Sequence, residues 1–316
     1  MPVPPLSKFT QSTAHSLDEL KRIAPPSKNV LDQLGLLSEL SGSWVGSGFN
    51  LIARPDKHNG KPFFLQLNAT VETLDFSPIG GKVPNRGSEQ DDVFLHGLHY
   101  LQRVSDAATF AALHIEPGFW LHVPPSAVPD VPENYVRQAV IPHGDSLIAQ
   151  SIAFADVRSG PILDPVDAFP FVIKPGVPIP GLNKVPNPDI VTGNDYLAQF
   201  TPPALPPGLP EGLDPAEVVR DPVAILREAI RGQEITRTVV ISVSSAAGQG
   251  DQGGIVNIPF IRANANAIQL DAIFWVETVR LDAENELQQL QYVQRVVLDF
   301  GGIHWPHISV ATLVKQ

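Results

Sequence analysis

The chain has 316 residues, of which 43% are hydrophobic and 17% are charged, and its formal net charge is −11. The acidic excess repels nucleic-acid backbones and anionic lipid headgroups, so we expect neither a nucleic acid nor a membrane as partner. The absence of cysteine excludes disulfides, zinc thiolate sites, iron–sulfur clusters and cysteine nucleophiles.

Nothing in the sequence predicts a membrane span or a secretion signal. No apolar run approaches the roughly 18–20 residues that cross a bilayer. Residues 1–6 lack the basic and apolar regions of a signal peptide. We therefore expect a soluble, cytoplasmic protein.

Two helical stretches are predicted near the N-terminus. The first begins at the capping-box pattern Ser16-Leu17-Asp18-Glu19 and stops at Pro25-Pro26. The second covers residues 30–40 and ends where the chain turns at Gly42. We assign residues 1–40 to a helical segment that caps one end of the main body.

From Trp44 onward the hydrophobic period becomes two, which is typical of β-strands. The run 63–75 places apolar residues on one face and Gln66, Asn68, Thr70 and Glu72 on the other, as expected of an antiparallel strand that covers a core. The same reasoning predicts further strands at 93–104, 109–116, 119–123, 135–141, 147–153, 235–243, 255–261, 267–281, 287–300 and 303–313.

Residues 157–234 break this pattern. Thirteen of the 32 prolines lie between Pro161 and Pro210, which is incompatible with central strands and with helices. The segment is too apolar for a free linker, so we expect it to wrap the main body. A helix is predicted within it from Asp221-Pro222 to Gly232.

The strands on both sides of this insertion favour one all-β domain with minor helices. We predict a closed antiparallel β-barrel of about ten strands, with 41–156 as its first half and 235–316 as its second half. Closed barrels with more than about eight strands are wide enough to hold a ligand.

A glycine-rich pattern surrounds the first strand. Gly42 permits a tight turn, Trp44 is expected to plug the barrel floor, and Gly46 and Gly48 allow the strand to bend. Gly-x-Trp at the entry to a first strand resembles the calycin superfamily of lipocalins and fatty-acid-binding proteins. The fuller pattern, from Leu40 to Gly48, resembles nitrobindin, a haem-binding ten-stranded barrel.

The C-terminal residues extend this resemblance. Residues 306–315 resemble the closing strand of nitrobindins, in which a histidine after proline is the proximal ligand of the iron. The resemblance therefore implies that the chain binds haem b through His307, with His304 and Trp305 in the same site. A histidine at this position can equally be a packed or partly exposed rim residue.

The resemblance also implies a function. A nitrobindin-like haem protein would sense or act on small oxidants such as peroxynitrite, nitric oxide or peroxide, as an isomerase or in a peroxidase-like reaction. The alternative is a haem-free carrier or sensor of a hydrophobic small molecule, since barrel pockets are mostly apolar. Either protein could be a homodimer.

A third hypothesis rests on the middle of the chain. His114 and Glu116 are two residues apart and share a strand face, and His122 could join them from a neighbouring strand. Two imidazoles and one carboxylate suit a mononuclear iron or zinc site of the cupin kind.

Overall fold

The computed structural model describes residues 28–174, 176–182, 190–192, 204–246 and 253–316. The helix predicted from Ser16 lies outside these residues. Among the described residues, no helix combines the length and the apolar character that crossing a membrane requires.

Sixteen strands occur in the described chain. They are β1 Gly42–Asp56, β2 Lys61–Pro78, β3 Val83–Asn85, β4 Val93–Asp106, β5 Ala112–Val123, β6 Ser126–Ala127, β7 Asp130–Val131, β8 Asn134–Ile141, β9 Asp145–Val157, β10 Phe171–Ile173, β11 Ile190–Thr192, β12 Glu234–Ser244, β13 Gly254–Asn257, β14 Asn266–Arg280, β15 Glu286–Phe300 and β16 Ile303–Lys315. The helices are α1 Lys28–Asp32, α2 Pro215–Arg220, α3 Val223–Ala229 and α4 Pro259–Asn264, with 3₁₀ helices at Gly35–Leu40 and Lys57–Asn59.

Ten strands form one closed antiparallel barrel, which confirms the predicted fold class. Their order is β1-β2-β4-β5-β8-β9-β12-β14-β15-β16, and pairing of β16 with β1 closes the barrel. Strands from both sides of the proline-rich segment belong to this barrel. Within that segment, β10 pairs with β16 at His304 and β11 pairs with β10.

Two predicted elements differ in detail. The stretch 30–40 is not one helix, because Gly35, the first residue of the 3₁₀ helix, adopts a positive φ of 57°. The predicted strand 255–261 ends at Asn257, because Pro259 begins α4.

The sequence predicts two strands, 109–116 and 119–123, and the break between them, at residues 116–118, is wrong. The stretch lies inside the continuous strand β5. Pro117 is exposed and lies just outside the part of β5 that pairs with β8, which starts at Gly118. A proline without an N–H is tolerated at such an unpaired strand edge.

The 3₁₀ helix Gly35–Leu40 closes one end of the barrel, which we call the helix end. Leu37, Leu40 and Trp44 are fully buried there, and the Trp44 indole Nε1 donates to the Leu40 carbonyl at 2.7 Å. Above them the barrel is filled by aromatic side chains. Phe274 contacts Trp120 and Tyr292, with ring centroids 5.2 and 5.4 Å apart.

A second apolar core lies on the outer face of the barrel. Here residues of β1, β2, β14, β15 and β16 pack against α2, α3 and the residues around Val166 and Ala168. The apolar face of β2 belongs to this outer core, through Phe63, Leu65 and Leu67. Its polar face, with Thr70 and Glu72, therefore lines the barrel interior.

Strands β1 and β16 approach each other closely at Gly48. A Cβ atom there would lie 2.8 Å from the Ala311 Cβ and from Glu72 Oε1, and still closer to the Val310 carbonyl. The position has no room for a side chain, so closure of the barrel depends on glycine here.

We expect Gly48→Ala to lower the free energy of unfolding by about 1–3 kcal/mol, because overpacking of a filled interior is destabilising. The matched control is Gly80→Ala, where a Cβ would meet nothing within 4 Å. This control should stay within about 0.5 kcal/mol of the wild type. Urea denaturation measures both, and equal stabilities of the two variants would contradict the tight closure.

The outer core also buries a carboxyl group, that of Glu277. Gln289 Nε2 donates to Glu277 Oε2 at 2.6 Å, whereas Oε1 has no partner among the described residues. Burial raises the pKa of Glu277 from 4.5 to about 7. The folded protein therefore holds this proton more tightly than the unfolded chain does.

A raised carboxyl pKa stabilises the fold below pH 4.5, and this contribution is lost as pH rises towards about 7. We expect Glu277→Gln to remove this dependence of the protein's stability on pH. Its stability relative to the wild type should increase by about 2–3 kcal/mol between pH 5 and pH 8. Urea denaturation at both pH values tests this expectation, and a constant difference would contradict it.

Candidate functional site

A buried ion pair lies inside the barrel, between residues of the neighbouring strands β5 and β8. Arg137 on β8 and Glu116 on β5 are 1% and 0% exposed, and Arg137 Nη2 donates to Glu116 Oε1 at 2.5 Å. Arg137 also donates to Gln294 Oε1 at 2.7 Å and to the Tyr100 hydroxyl at 3.1 Å. The Tyr100 hydroxyl in turn donates to Glu116.

The pair is ionised. Burial alone would raise the pKa of Glu116, but the charge of Arg137 and the hydrogen bond from His114 outweigh burial and lower that pKa to about 2. Burial likewise opposes the charge of Arg137, and the attraction of Glu116 nevertheless raises the pKa of the guanidinium. A buried charge pair of this kind persists because each ion has further hydrogen-bond partners.

A second carboxyl group, that of Glu72, lies beside the pair without a cation. It accepts from Thr70 Oγ1 at 2.8 Å, from the Tyr292 hydroxyl at 2.5 Å and from Gln102 Nε2 at 3.3 Å. Burial raises the pKa of Glu72, although these hydrogen bonds oppose the increase. The interior of the barrel therefore contains one ionised carboxylate, that of Glu116, and one carboxyl group, that of Glu72, whose ionisation is opposed by burial. We call Glu72, Glu116 and Arg137 the polar layer.

Three histidines, His114, His143 and His307, lie beyond this polar layer, at what we call the histidine end. His114 Nε2 lies 3.2 Å from Glu116 Oε2. The rings of His114 and His143 are 5.6 Å apart, and His143 is exposed at the surface. His307 pairs with Val296, which packs against the inner core, so its side chain faces the interior.

His307 is neutral at physiological pH. Burial, followed by the proximity of His114 and His143, lowers its pKa to about 3. Its Nε2 atom is buried and has no hydrogen-bond partner among the described residues. An imidazole in this state presents either a free lone pair or an unused N–H.

Two more buried polar atoms without a described partner lie at the histidine end, Asn50 Oδ1 and Asp145 Oδ1. Asn50 pairs with Ser309, the next inward position after His307 on β16. Asp145 pairs with Ile141, which packs against the inner core. Burial raises the pKa of Asp145, against the opposing effect of His143 and His114. Unsatisfied buried atoms that cluster at one end suit a polar ligand.

The structure does not bring His304 and Trp305 to His307. The His304 ring stacks on Phe171 of β10 at 5.3 Å. Trp305 belongs to the outer core, lies 4.4 Å from the Phe63 ring and donates from Nε1 to the Phe300 carbonyl at 3.0 Å. Only His307 of the three residues predicted from the C-terminal pattern faces the interior.

The structure brings His114 and Glu116 together but leaves His122 at the helix end. Eight residues separate His114 from His122, or about 26 Å along a strand. His122 lies 2.7 Å from Glu133 and 2.8 Å from the Gln33 carbonyl, and it stacks on Tyr135. Within the described ranges, no three histidine or carboxylate side chains are grouped to hold a metal ion.

Sequence reasoning missed Arg137 as a site residue. Both faces of its strand are largely apolar, with Tyr135 and Ala139 on one side and Val136 and Val140 on the other. The available signal was an arginine on the same strand face as Tyr135 and Ala139. The neighbouring sequence, however, does not show which of the two faces is inward.

Comparisons with known proteins do not assign a family. No family model matches the chain, and no curated protein matches it. Among solved structures, the crystal structure of Rv2717c from M. tuberculosis is similar, with 15% sequence identity and a TM-score of 0.42. The similarity covers 90% of this chain and 97% of that chain. Similarity at this level carries no inference about what the chain binds.

We expect Arg137→Met to lower the free energy of unfolding by about 3–5 kcal/mol, because Glu116 keeps a buried charge without its cation. Adding Glu116→Gln should recover part of this loss by removing that charge. The control is Arg103→Met at the exposed pair with Asp75, which should change stability by at most about 1 kcal/mol. Urea denaturation measures all three variants, and a double variant less stable than Arg137→Met would contradict this account.

Proposed function

We propose that the chain is a haem b-binding barrel, with His307 as the axial ligand of the iron at the histidine end. The observation that carries the proposal is the buried His307 Nε2, which has no hydrogen-bond partner among the described residues. A neutral imidazole on a barrel wall is the form that coordinates iron.

The donor set is compatible with a histidine-ligated haem. The sequence contains no cysteine, and its single methionine is Met1, so histidine is the natural axial ligand. Since His122 lies at the other end of β5, the three-ligand site predicted from His114, Glu116 and His122 has less support than a single axial histidine.

The surroundings of His307 are also compatible with a bound cofactor. Val296 lies beside it on the apolar wall, while Asn50 and Asp145 offer polar atoms at the same end. Ligand sites in proteins commonly combine apolar walls with a few polar groups. The function we propose is binding and sensing, or chemical conversion, of small oxidants such as peroxynitrite, nitric oxide or peroxide.

Titration of the protein with hemin tests the proposal. The wild type should develop a Soret band, and His307→Ala should bind hemin at least about 10-fold more weakly, since loss of a mere supporting partner already weakens metal sites by that much. Added imidazole should restore the spectrum of His307→Ala by replacing the missing side chain.

The control is His99→Ala, because His99 is exposed on β4, and this variant should match the wild type. Identical titrations of the wild type and His307→Ala would contradict the assignment of the ligand. A wild type that takes up no hemin but releases an organic molecule on denaturation would instead support the haem-free carrier.

A further inference from the structure

The outer face of the neighbouring strands β5, β8 and β9 is exposed and apolar. In the barrel order these strands lie opposite β1, β2 and β14–β16, whose outer face packs against the proline-rich segment. Four large apolar side chains on the three strands are 43–58% exposed, those of Ile115, Phe119, Val140 and Ile148. We call the outward positions of β5, β8 and β9 the uncovered face.

The exposed apolar side chains form one continuous patch. Phe119 is directly opposite Gln138 of β8, and Gln138 is directly opposite Ile148 of β9, so the three side chains form a row across the sheet. Val140 is two positions from Gln138 and therefore lies on the same face. β13 continues the sheet along β9, and its Val256 is also exposed.

The polarity of these strands is the reverse of that expected for a sheet with one solvated face. The charged pair of Glu116 and Arg137 lies on the inner side. On the outer side, the described strands carry no charged side chain within residues 112–123, 134–140 and 146–150. Solvated antiparallel sheets normally have polar residues outside and apolar residues inside. The pattern therefore indicates strands that are buried on both faces.

The polar side chains at one edge of the uncovered face are bonded to one another. Asn134 Nδ2 donates to Gln150 Oε1 at 2.7 Å, and Asn134 Oδ1 accepts from Ser151 Oγ at 2.6 Å. Covering a polar group is costly only when it loses its hydrogen bonds. These groups keep theirs when the face is covered.

The charge of the chain indicates which partner suits this face. With a formal net charge of −11, two copies of the chain repel each other over most of their surfaces. On the uncovered face they can meet without placing like charges together. A two-fold axis puts the same patch on both sides of a contact, so apolar side chains meet apolar side chains.

The area of the uncovered face is also sufficient for a dimer. Four strands about 4.8 Å apart, with up to about seven residues each at about 3.3 Å per residue, cover roughly 400 Å² in projection. Two such faces, with the relief of their side chains, reach the roughly 1,000 Å² that a specific interface needs. Contiguous apolar patches of several hundred Å² commonly have a function on soluble proteins.

We propose that the uncovered face is the contact surface of a two-fold symmetric dimer of this chain, with Phe119 and Ile148 near its centre. In the dimer, β5, β8 and β9 are buried on both faces, as β1, β2 and β14–β16 already are beneath the proline-rich segment. The inference does not depend on the proposed haem site, because it uses only the outer side of the barrel.

Sedimentation velocity of the full chain tests the inference. We expect a wild-type mass of twice 34.1 kDa. Ile148→Lys should raise the dissociation constant of the dimer at least about 100-fold, because the symmetric contact would bury two unpaired like charges. Lysine lowers the net negative charge, so weaker association of this variant cannot result from greater overall repulsion.

The matched control is Val45→Lys. Val45 lies on β1 and is 43% exposed, against 44% for Ile148, but it is outside the uncovered face. This variant should sediment as a dimer like the wild type. Circular dichroism verifies that each variant is folded, and Val140→Lys replaces Ile148→Lys if the latter does not fold.

A second measurement uses the absence of cysteine from the chain. Ile148→Cys and Val45→Cys each introduce a single thiol at positions of nearly equal exposure in one chain. We expect a maleimide to modify Ile148→Cys at least about 10-fold more slowly, because the centre of an interface excludes water and reagents. Dilution below the dissociation constant should remove the difference.

The other outcomes overturn the inference. A wild type that stays monomeric at about 100 μM would exclude a dimer of useful affinity. A dimer that persists in both Ile148→Lys and Phe119→Lys would place the contact on another surface. A monomer in which Ile148→Cys is nevertheless protected would indicate that another part of the same chain, such as residues 1–27, covers the face.

Discussion

An arginine in the centre of a closed barrel must be paired, and the pairing of Arg137 with Glu116 organises the interior around it. The pair fixes the direction of Glu116, which in turn orients His114, and it brings Tyr100 and Gln294 into the same network. Leu37, Leu40 and Trp44 lie at the helix end of the barrel, whereas His114 and His307 lie at the histidine end. The chemistry of the histidine end depends on that separation.

The proline-rich segment decides which faces of the strands are inside. It covers the outer face of β1, β2 and β14–β16 with apolar side chains, so these strands are buried on both faces. As a result, β2 turns Glu72 into the barrel and Leu67 towards the segment. A barrel without such a cover would need its apolar residues inside. The insertion gives apolar residues of these strands a second place to be buried, so polar side chains such as Glu72 can occupy part of an otherwise apolar interior.

The two ends of the barrel differ in whether their buried polar groups have hydrogen-bond partners. At the helix end, His122 has partners for both ring nitrogens and the Trp44 indole donates to the Leu40 carbonyl. At the histidine end, buried atoms of His307, Asn50 and Asp145 have no described partner. Because buried polar groups are normally paired, this asymmetry directs the proposed site to the histidine end.

Most of the strands, the closed antiparallel barrel and the irregular proline-rich segment can be predicted from the sequence. These features follow from local periodicity and from the conformational limits of glycine and proline. Three other features depend on tertiary contacts: Glu72 faces inward, Arg137 meets Glu116, and His122 lies at the other end from His114. The orientation of a strand face depends on what covers each side. That cover comes from residues distant in the chain, so the alternation along a single strand does not show which of its faces is inward.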